Sequence, residues 1–425
     1  MCNPLINNEI ENIIKKFKKN DFNKNKIVDL TYLKTYSIDD TNTIEIDDAI
    51  SLESINGKYK LWIHIASPSS YIDYGSVIDK KARKLISSVY LCRNICYMFP
   101  ELLINEVFSL SNKDKRESIS LGVILNDDGS VLSSEIVQSL IRVNYRLDYT
   151  EADELIDYAP KEEEDLSLIS RILQTRKCWR NDLGAKEIQE SYGKIIIKDN
   201  FPTLKVIDST LSRQLISEAM ILYGNLISLY TQKHKIPVPY RVQDSKNKVG
   251  MVEIKKKGRS NILNNFLLKK SMGKTYYSIN PSKHDSLGLS SYIHATSPIR
   301  RYCDLLVNYQ LNRYLNNNTL ISQKAVENII TDLNIIGRQN TMRYREDQRF
   351  WQYKWFEINQ LNEYKVILLN WVNRYKNTCI LYFIEYNLSL VCNLKSELEI
   401  KVGDTIKIKN ISNNVNDIIF FQLCS

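Results

Sequence analysis

Between Ser37 and Ile50 the chain gathers five carboxylates, Asp39, Asp40, Glu45, Asp47 and Asp48, within ten positions. Like charges at that density raise one another's pKa, so the group ionises together only where a cation holds it. Oxygen donors with no His or Cys among them suit Mg2+, or Mn2+, better than zinc. Ile44, Ile46 and Ile50 are interleaved with the acids, which marks the segment as partly buried rather than as a solvated acidic loop. A calcium loop of the EF-hand kind does not fit, because the sixth position from Asp39 is Ile44, where that loop requires Gly.

Elements of both periods surround this run. Leu61, Ile63 and Ile65 alternate with Lys60, Trp62 and His64 as a strand does; residues 118–125 and 135–143 are further strands, the first closing on a turn signal at 126–129. Helical spacing is expected over 9–17, 77–89, 150–158, 165–183 and 209–232, the last stopping before Pro237 as a proline requires. Two short strands, 194–198 and 203–207, precede that last helix. Thr296, Ser297 and Pro298 predict a helix start with proline in its first turn, continuing through Leu305, Leu306, Tyr309 and Leu311. A further long helix, charged and aromatic, is expected over 325–356. From Tyr364 the character changes to five short strands, 366–372, 378–385, 389–393, 405–410 and 418–423, which suit a small OB-like barrel. The fold class is α+β: a mixed sheet with surrounding helices, then the barrel.

Composition narrows the chemistry further. The 425 residues carry 58 Lys+Arg against 49 Asp+Glu, a formal charge of +9, while the densest acids sit in one short run. A basic body around an acidic pocket suits a polyanion met by metal ions. Lys255, Lys256, Lys257, Arg259, Lys269 and Lys270 form a basic run that reads as a solvated helix face, with a phosphate-tracking patch as the alternative. The eight cysteines are scattered with no CxxC pair, so neither a zinc site nor a disulfide framework follows, and a reducing compartment is expected. No apolar run reaches the roughly 18 residues of a membrane span, and no signal-peptide core opens the chain, so a soluble, non-secreted protein without membrane contact is expected. Heavy use of Asn, Ile, Lys and Tyr is the mark of an AT-rich genome.

Two separated motifs together resemble a known family. The acidic stretch from Ile38 to Ala49 resembles the first signature of the RNB catalytic domain of the ribonuclease II/ribonuclease R family. Tyr292 through Leu305, containing Thr296, Ser297, Pro298, Arg300 and Asp304, resembles its second signature. Leu61 to Ala66, Tyr145 to Thr150, Glu218 to Leu222 and Ile236 to Arg241 continue the likeness, which covers roughly residues 31–356 and is closest to cyanobacterial and plastid members. The resemblance implies a 3′-to-5′ exoribonuclease that hydrolyses single-stranded RNA to nucleoside 5′-monophosphates with Mg2+, in RNA decay or 3′-end trimming. It places Asp39, Glu45, Asp47 and Asp48 on the four acidic metal-binding positions, Asp47 and Arg300 in catalysis, Tyr149 under the 3′-terminal base and Glu218 against a ribose. It also implies a plastid location, with the protein organelle-encoded, or otherwise a bacterial-type cytoplasm, and a monomer.

On this reading residues 1–30 form an N-terminal extension with little fold, its stretch 18–26 a linker; 31–362 form the RNB domain, and 363–425 an OB-like RNA-binding domain in degenerate form. No cold-shock-like segment precedes the acidic run, which implies weaker RNA binding and processivity. Glu45 stands where many family members carry Asp, and its extra methylene shifts the carboxylate by roughly 1.5 Å; direct ligation, ligation through water and orientation of a ligand all stay open for it. Structural roles also stay open: an ion pair at a helix start for Arg300, core packing for Tyr149, a buried ion pair for Glu218, and satisfied structural histidines for His64 and His294. Two other functions remain, a catalytically weak RNA-binding relative and an oligoribonucleotide-specific metal phosphoesterase.

Overall fold

The computed structural model describes residues 4–19, 27–111, 114–158, 160–188, 190–244, 260–359, 363–395, 399–411 and 419–424. Most of the expected linker 18–26 and the cations at 255–257 and 259 lie outside those residues.

The site rests on a seven-stranded mixed sheet. Its strands are β1 (Val28–Asp29), β2 (Thr35–Ile38), β3 (Asp48–Ile55) and β4 (Lys58–Ala66), then, past a small hairpin of β5 (Val89–Tyr90) and β6 (Ile95–Cys96), β7 (Arg116–Leu125), β8 (Val131–Ile141) and β9 (Tyr145–Leu147). They lie in the order β1-β8-β7-β4-β3-β2-β9, antiparallel except at the two edges, where β1 runs parallel to β8 and β9 parallel to β2.

Both faces of this sheet are covered. Leu61, Ile63 and Ile65 of β4 point into a core shared with the helices Asp165–Asp182 and Leu211–Lys233. Trp62 and Ala66 point into a second core with the helices Val77–Leu85 and Tyr302–Leu315. The alternation on β4 therefore separates two buried faces rather than core from solvent, as in sheets layered by helices on each side. His64 is fully buried between them and is satisfied by serines: its ring nitrogens meet Ser51 Oγ at 2.7 Å and Ser120 Oγ at 2.6 Å.

The N-terminus departs from expectation. A 15-residue helix, Pro4–Lys18, packs on the second core through Ile13, 5% exposed, and Phe17, whose ring meets Tyr71 edge-on and carries Arg116 over its face. Glu9 accepts the backbone N–H groups of Val77 and Ile78, so this helix caps the start of the helix Val77–Leu85. That helix ends earlier than its apolar spacing suggested, because Ile86 turns to positive φ and releases Ser87 to Tyr90 towards the acidic run.

The hairpin β10 (Tyr192–Lys198) and β11 (Phe201–Ile207), with a second short pair β12 (Tyr240–Gln243) and β13 (Thr275–Ser278), precedes the barrel. The helix Asn261–Ser271 carries the described part of the basic run, where Lys269 pairs with Glu190 and Lys270 donates to Asn370 Oδ1. The barrel is closed: β14 (Tyr364–Asn373), β15 (Thr378–Phe383), β16 (Leu388–Lys395), β17 (Thr405–Asn410) and β18 (Phe420–Leu423) join in the order β14-β15-β16-β18-β17. Within about two residues these are the expected strands. The long helix Gln323–Ile358 ends in its core, where the Phe356 ring packs among Tyr364, Phe383 and Phe421. β10 seals against the barrel through Gly193, whose N–H donates to Asn387 O at 2.8 Å; a Cβ there would sit 2.3 Å from Tyr386 O, so only Gly allows the approach.

Candidate active site

The acidic run spans the crossing from β2 to β3. β2 ends at Ile38, paired with Leu147 of β9, and Asp39 N–H continues the ladder to Leu147 O. β3 begins at Asp48, opposite Ile65. The intervening loop is tied down from behind: Ile46 N–H donates to Ser109 Oγ, Leu110 N–H to Ile46 O, and Ala66 N–H to Asp47 O. Ile46 is 6% exposed and Ile44 packs on the same core, so the interleaved isoleucines bury the loop as their spacing suggested.

The five acids meet five different surroundings. Asp39 accepts Asp40 N–H at 2.7 Å and Thr43 Oγ1–H at 3.1 Å. Asp40 points outward and pairs with Arg213 at 2.7 Å. Glu45, 2% exposed, accepts from Ser88 Oγ at 2.7 Å and from Tyr90 Oη. Asp47, also 2% exposed, accepts Ile299 N–H at 2.8 Å and Arg300 Nε–H at 3.1 Å. Among the described residues, no hydrogen bond or ion pair engages the Asp48 carboxylate. Burial is the first cause raising the carboxyl pKa of Asp39, Glu45 and Asp47, for Asp47 well above its ordinary value. Asp48 is pushed up to about 7 by burial and then by the Asp39 charge, against the pull of Arg300, Arg301 and Arg146.

Arg300 joins the two sequence motifs across 253 residues. It does not sit in the first turn of a helix, as the Thr296–Ser297–Pro298 pattern suggested. Residues 298–300 make a separate turn closed by Arg301 N–H on Ser297 O, and the helix starts only at Tyr302. The physical reason is tertiary: Ser88 N–H donates to Arg300 O, Tyr302 N–H to Ile86 O, and Ser87 bridges Arg301, which holds Arg301 extended. The segment that supplies Ser88 and Tyr90 to Glu45 thus also shapes the arginine turn. Arg300 Nη2 donates to Ser297 Oγ at 2.9 Å, while Arg301 is held back by the fully buried Asp304 at 2.6 Å.

Tyr149 opens the helix Tyr149–Tyr158. Its phenol is raised by burial and then by the charges of Asp39 and Asp48, and its ring carries the Arg213 guanidinium, which pairs with Asp40. Glu218 is 3% exposed and gripped by Arg180, whose Nη2 lies 2.7 Å from Oε2 and whose Nε reaches both oxygens. The ion pair is the surrounding found for Glu218, although its cleft also receives Lys177, Lys186 and Arg213. His294 bonds Tyr277 Oη through Nδ1 at 2.8 Å.

Sequence reasoning missed four contributors: Ser88 and Tyr90 on Glu45, Arg146, whose guanidinium donates to the carbonyls of Asp39 and Asp40, and Arg213. Arg146 lies inside a stretch that carried the family resemblance; nothing local marks the other three.

The chemistry of the donor set can be weighed against a divalent cation. Asp48 is half-buried, unpartnered and pressed by Asp39, and this repulsion is what a hard divalent ion relieves. Glu45 and Asp47 have spent oxygens on protein donors, and among the described residues no three His, Cys, Asp or Glu side chains converge as a ready ligand set. Asp39 and Asp48 therefore fit such an ion best, with Asp47 and Glu45 behind them.

The RNB domain model matches residues 27–317, and the chain belongs to that family. It is 31% identical to an uncharacterized ribonuclease of Synechocystis sp. over 93% of this chain and 60% of that protein. It is likewise 31% identical to the chloroplastic/mitochondrial ribonuclease II of Arabidopsis thaliana, over 79% of this chain and 43% of that one. The chain thus spans less than two-thirds of these relatives' length. Its fold follows that of Mycoplasma genitalium RNase R, solved in complex with ribose-methylated single-stranded RNA, with a TM-score of 0.87 at 19% identity over 100% of this chain and 76% of the other. Among the described residues no helix is long and apolar enough to cross a membrane.

Proposed function

We propose that the chain is a 3′-to-5′ exoribonuclease that hydrolyses single-stranded RNA to nucleoside 5′-monophosphates, in RNA decay or 3′-end trimming. The observation that carries this reading is the docking of Arg300 on Asp47 beside the unpartnered Asp48. One edge of the site then offers a guanidinium for a phosphate, and the other offers carboxylates for a cation. Asp39 and Asp48, backed by Asp47 and Glu45, would hold Mg2+ or Mn2+. When bound, such an ion makes water a competent nucleophile near neutral pH and offsets charge on the leaving oxygen.

The remaining work belongs to the chain. Arg300 stays protonated and offers N–H groups to the scissile phosphate as charge builds on it. Asp47 orients that guanidinium through Nε. Tyr149 stacks the terminal base without reading its identity, as an enzyme of every sequence requires. Glu218, held by Arg180, lines the cleft where a 2′-hydroxyl could meet it, which would favour RNA over DNA. The two relatives named above favour a plastid, or otherwise a bacterial-type cytoplasm, as the location.

Purified protein with 5′-labelled single-stranded RNA and Mg2+ tests the reading, beside Asp48→Asn. A ladder shortening from the 3′ end, slowed by about three orders of magnitude in the variant, is the expected result. RNA binding without cleavage by the parent would overturn it in favour of a binding relative, the second reading that the engaged oxygens of Glu45 support. Cleavage confined to short oligomers would point to an oligoribonucleotide phosphoesterase.

A further inference from the structure

The base-stacking role of Tyr149 meets an obstacle in the chain itself. The Arg213 guanidinium lies over the Tyr149 ring, 3.7 Å from its centroid, while the ring also packs on the core beneath the sheet. Arg213 is aimed there by the start of the helix Leu211–Lys233: Ser212 N–H donates to Asp153 Oδ1, and Ser212 Oγ to Tyr149 O. Its Nη2 is tethered to Asp40 at 2.7 Å, the one polar partner of this guanidinium among the described residues. A planar cation over an aromatic face occupies the space and supplies the attraction that a stacked base would use.

We propose that Arg213 is a competing occupant of the Tyr149 face, displaced when the RNA 3′ end stacks and returning to expel the product nucleotide. The inference rests on the exoribonuclease reading and adds to it a positioning residue for product release. The tether suits a reversible plug. Arg213 and Asp40 are 26% and 53% exposed, so their ion pair is screened and cheap to break, unlike the buried grip of Arg180 on Glu218. The swing is also short, because Arg213 lines the cleft that holds Lys177, Lys186 and Arg180, where the displaced cation can face an incoming phosphate. A long RNA outcompetes the plug through its many other contacts, whereas a mononucleotide has only its base and one phosphate. The returning arginine therefore weighs most against product.

The test compares Arg213→Ala with the parent, reading KM for a single-stranded oligoribonucleotide and the inhibition constant of adenosine 5′-monophosphate. Both constants should fall, the inhibition constant by about five-fold, the worth of a cation–π contact at a partly exposed ring. Asp40→Asn, which loosens the tether and leaves the ring intact, should move both the same way by less. Adding Tyr149→Ala should erase the gain from Arg213→Ala. A rise in either constant, or no change, overturns the proposal and makes Arg213 an ordinary RNA contact or a structural one. The same comparison with an oligomer bearing 2-aminopurine at its 3′ end reads binding by fluorescence. If the parent fails to cleave but binds this probe, and Arg213→Ala binds it more tightly, the exoribonuclease reading falls and the plug stands. Absence of binding by both proteins overturns both.

Discussion

Arg300→Ala separates the pairing with Asp47 that the geometry shows from the phosphate-facing task proposed for the same side chain. Of its three guanidinium nitrogens, Nε is used on Asp47 and Nη2 on Ser297 Oγ, and Nη1 has no partner among the described residues. With the side chain 39% exposed, that remaining edge is the one the proposed function assigns to a phosphate. Loss of a preorganised donor to developing charge costs about 100- to 1,000-fold in rate. The stability cost is smaller. Asp47 keeps the Ile299 N–H, its burial lets it take a proton in place of the lost cation, and the exposed side of Arg300 screens the pair. A loss of about 1–2 kcal/mol is expected instead of the larger penalty of a fully buried pair. Arg300→Lys keeps the charge but not the fork, so it should restore most of the stability and little of the rate. Single-turnover hydrolysis gives the first quantity and urea unfolding the second. If Arg300→Ala lowered stability as expected while the rate fell by less than roughly ten-fold, Arg300 would be only the structural partner of Asp47, and the phosphate-facing role would be refuted.

Two further outcomes concern the scaffold. Glu9→Ala should lower the unfolding free energy by about 1 kcal/mol, because it removes an acceptor from the first N–H groups of the helix Val77–Leu85; an unchanged urea midpoint would show that the N-terminal helix is a passive neighbour. His64 is held near pKa 3 by burial against an ordinary value of 6.5, so its contribution to stability is complete above pH 6.5 and drains away as the pH falls towards 3. The loss is about 1.4 kcal/mol per pH unit for this one group. Buried carboxyls such as Asp48 titrate in the opposite sense, so the informative measurement is the difference between parent and His64→Gln from pH 6.5 to 4.5: equal slopes would mean that His64 is not buried neutral.

What the sequence carried and what it hid follow from where the physical information lies. The barrel strands were legible to within about two residues because alternation and turn residues are local. The acidic run stood out because charge density is local too, whereas Arg300 was singled out only through the family resemblance of the stretch from Tyr292 to Leu305. The start of the helix Tyr302–Leu315 was not legible, since its apparent first turn is pulled into pairing with Ser87 and Ser88, residues far away in the chain. The same segment sets the surroundings of Glu45. Spacing puts Glu45 among the carboxylates, but whether its oxygens face a cation or a hydroxyl depends on Ser88 and Tyr90, which arrive only because Ile86 breaks the preceding helix. Arg213 is hidden for a like reason, as one cation among 58 basic residues until a helix start sets it on Tyr149. Local pattern thus identifies which groups can do chemistry, and the tertiary partners decide which of their atoms are still free to do it. On that ground Asp48, without a side-chain donor among the described residues, and Arg300 Nη1, without an acceptor among them, are the two groups on which the proposed cation and phosphate roles rest.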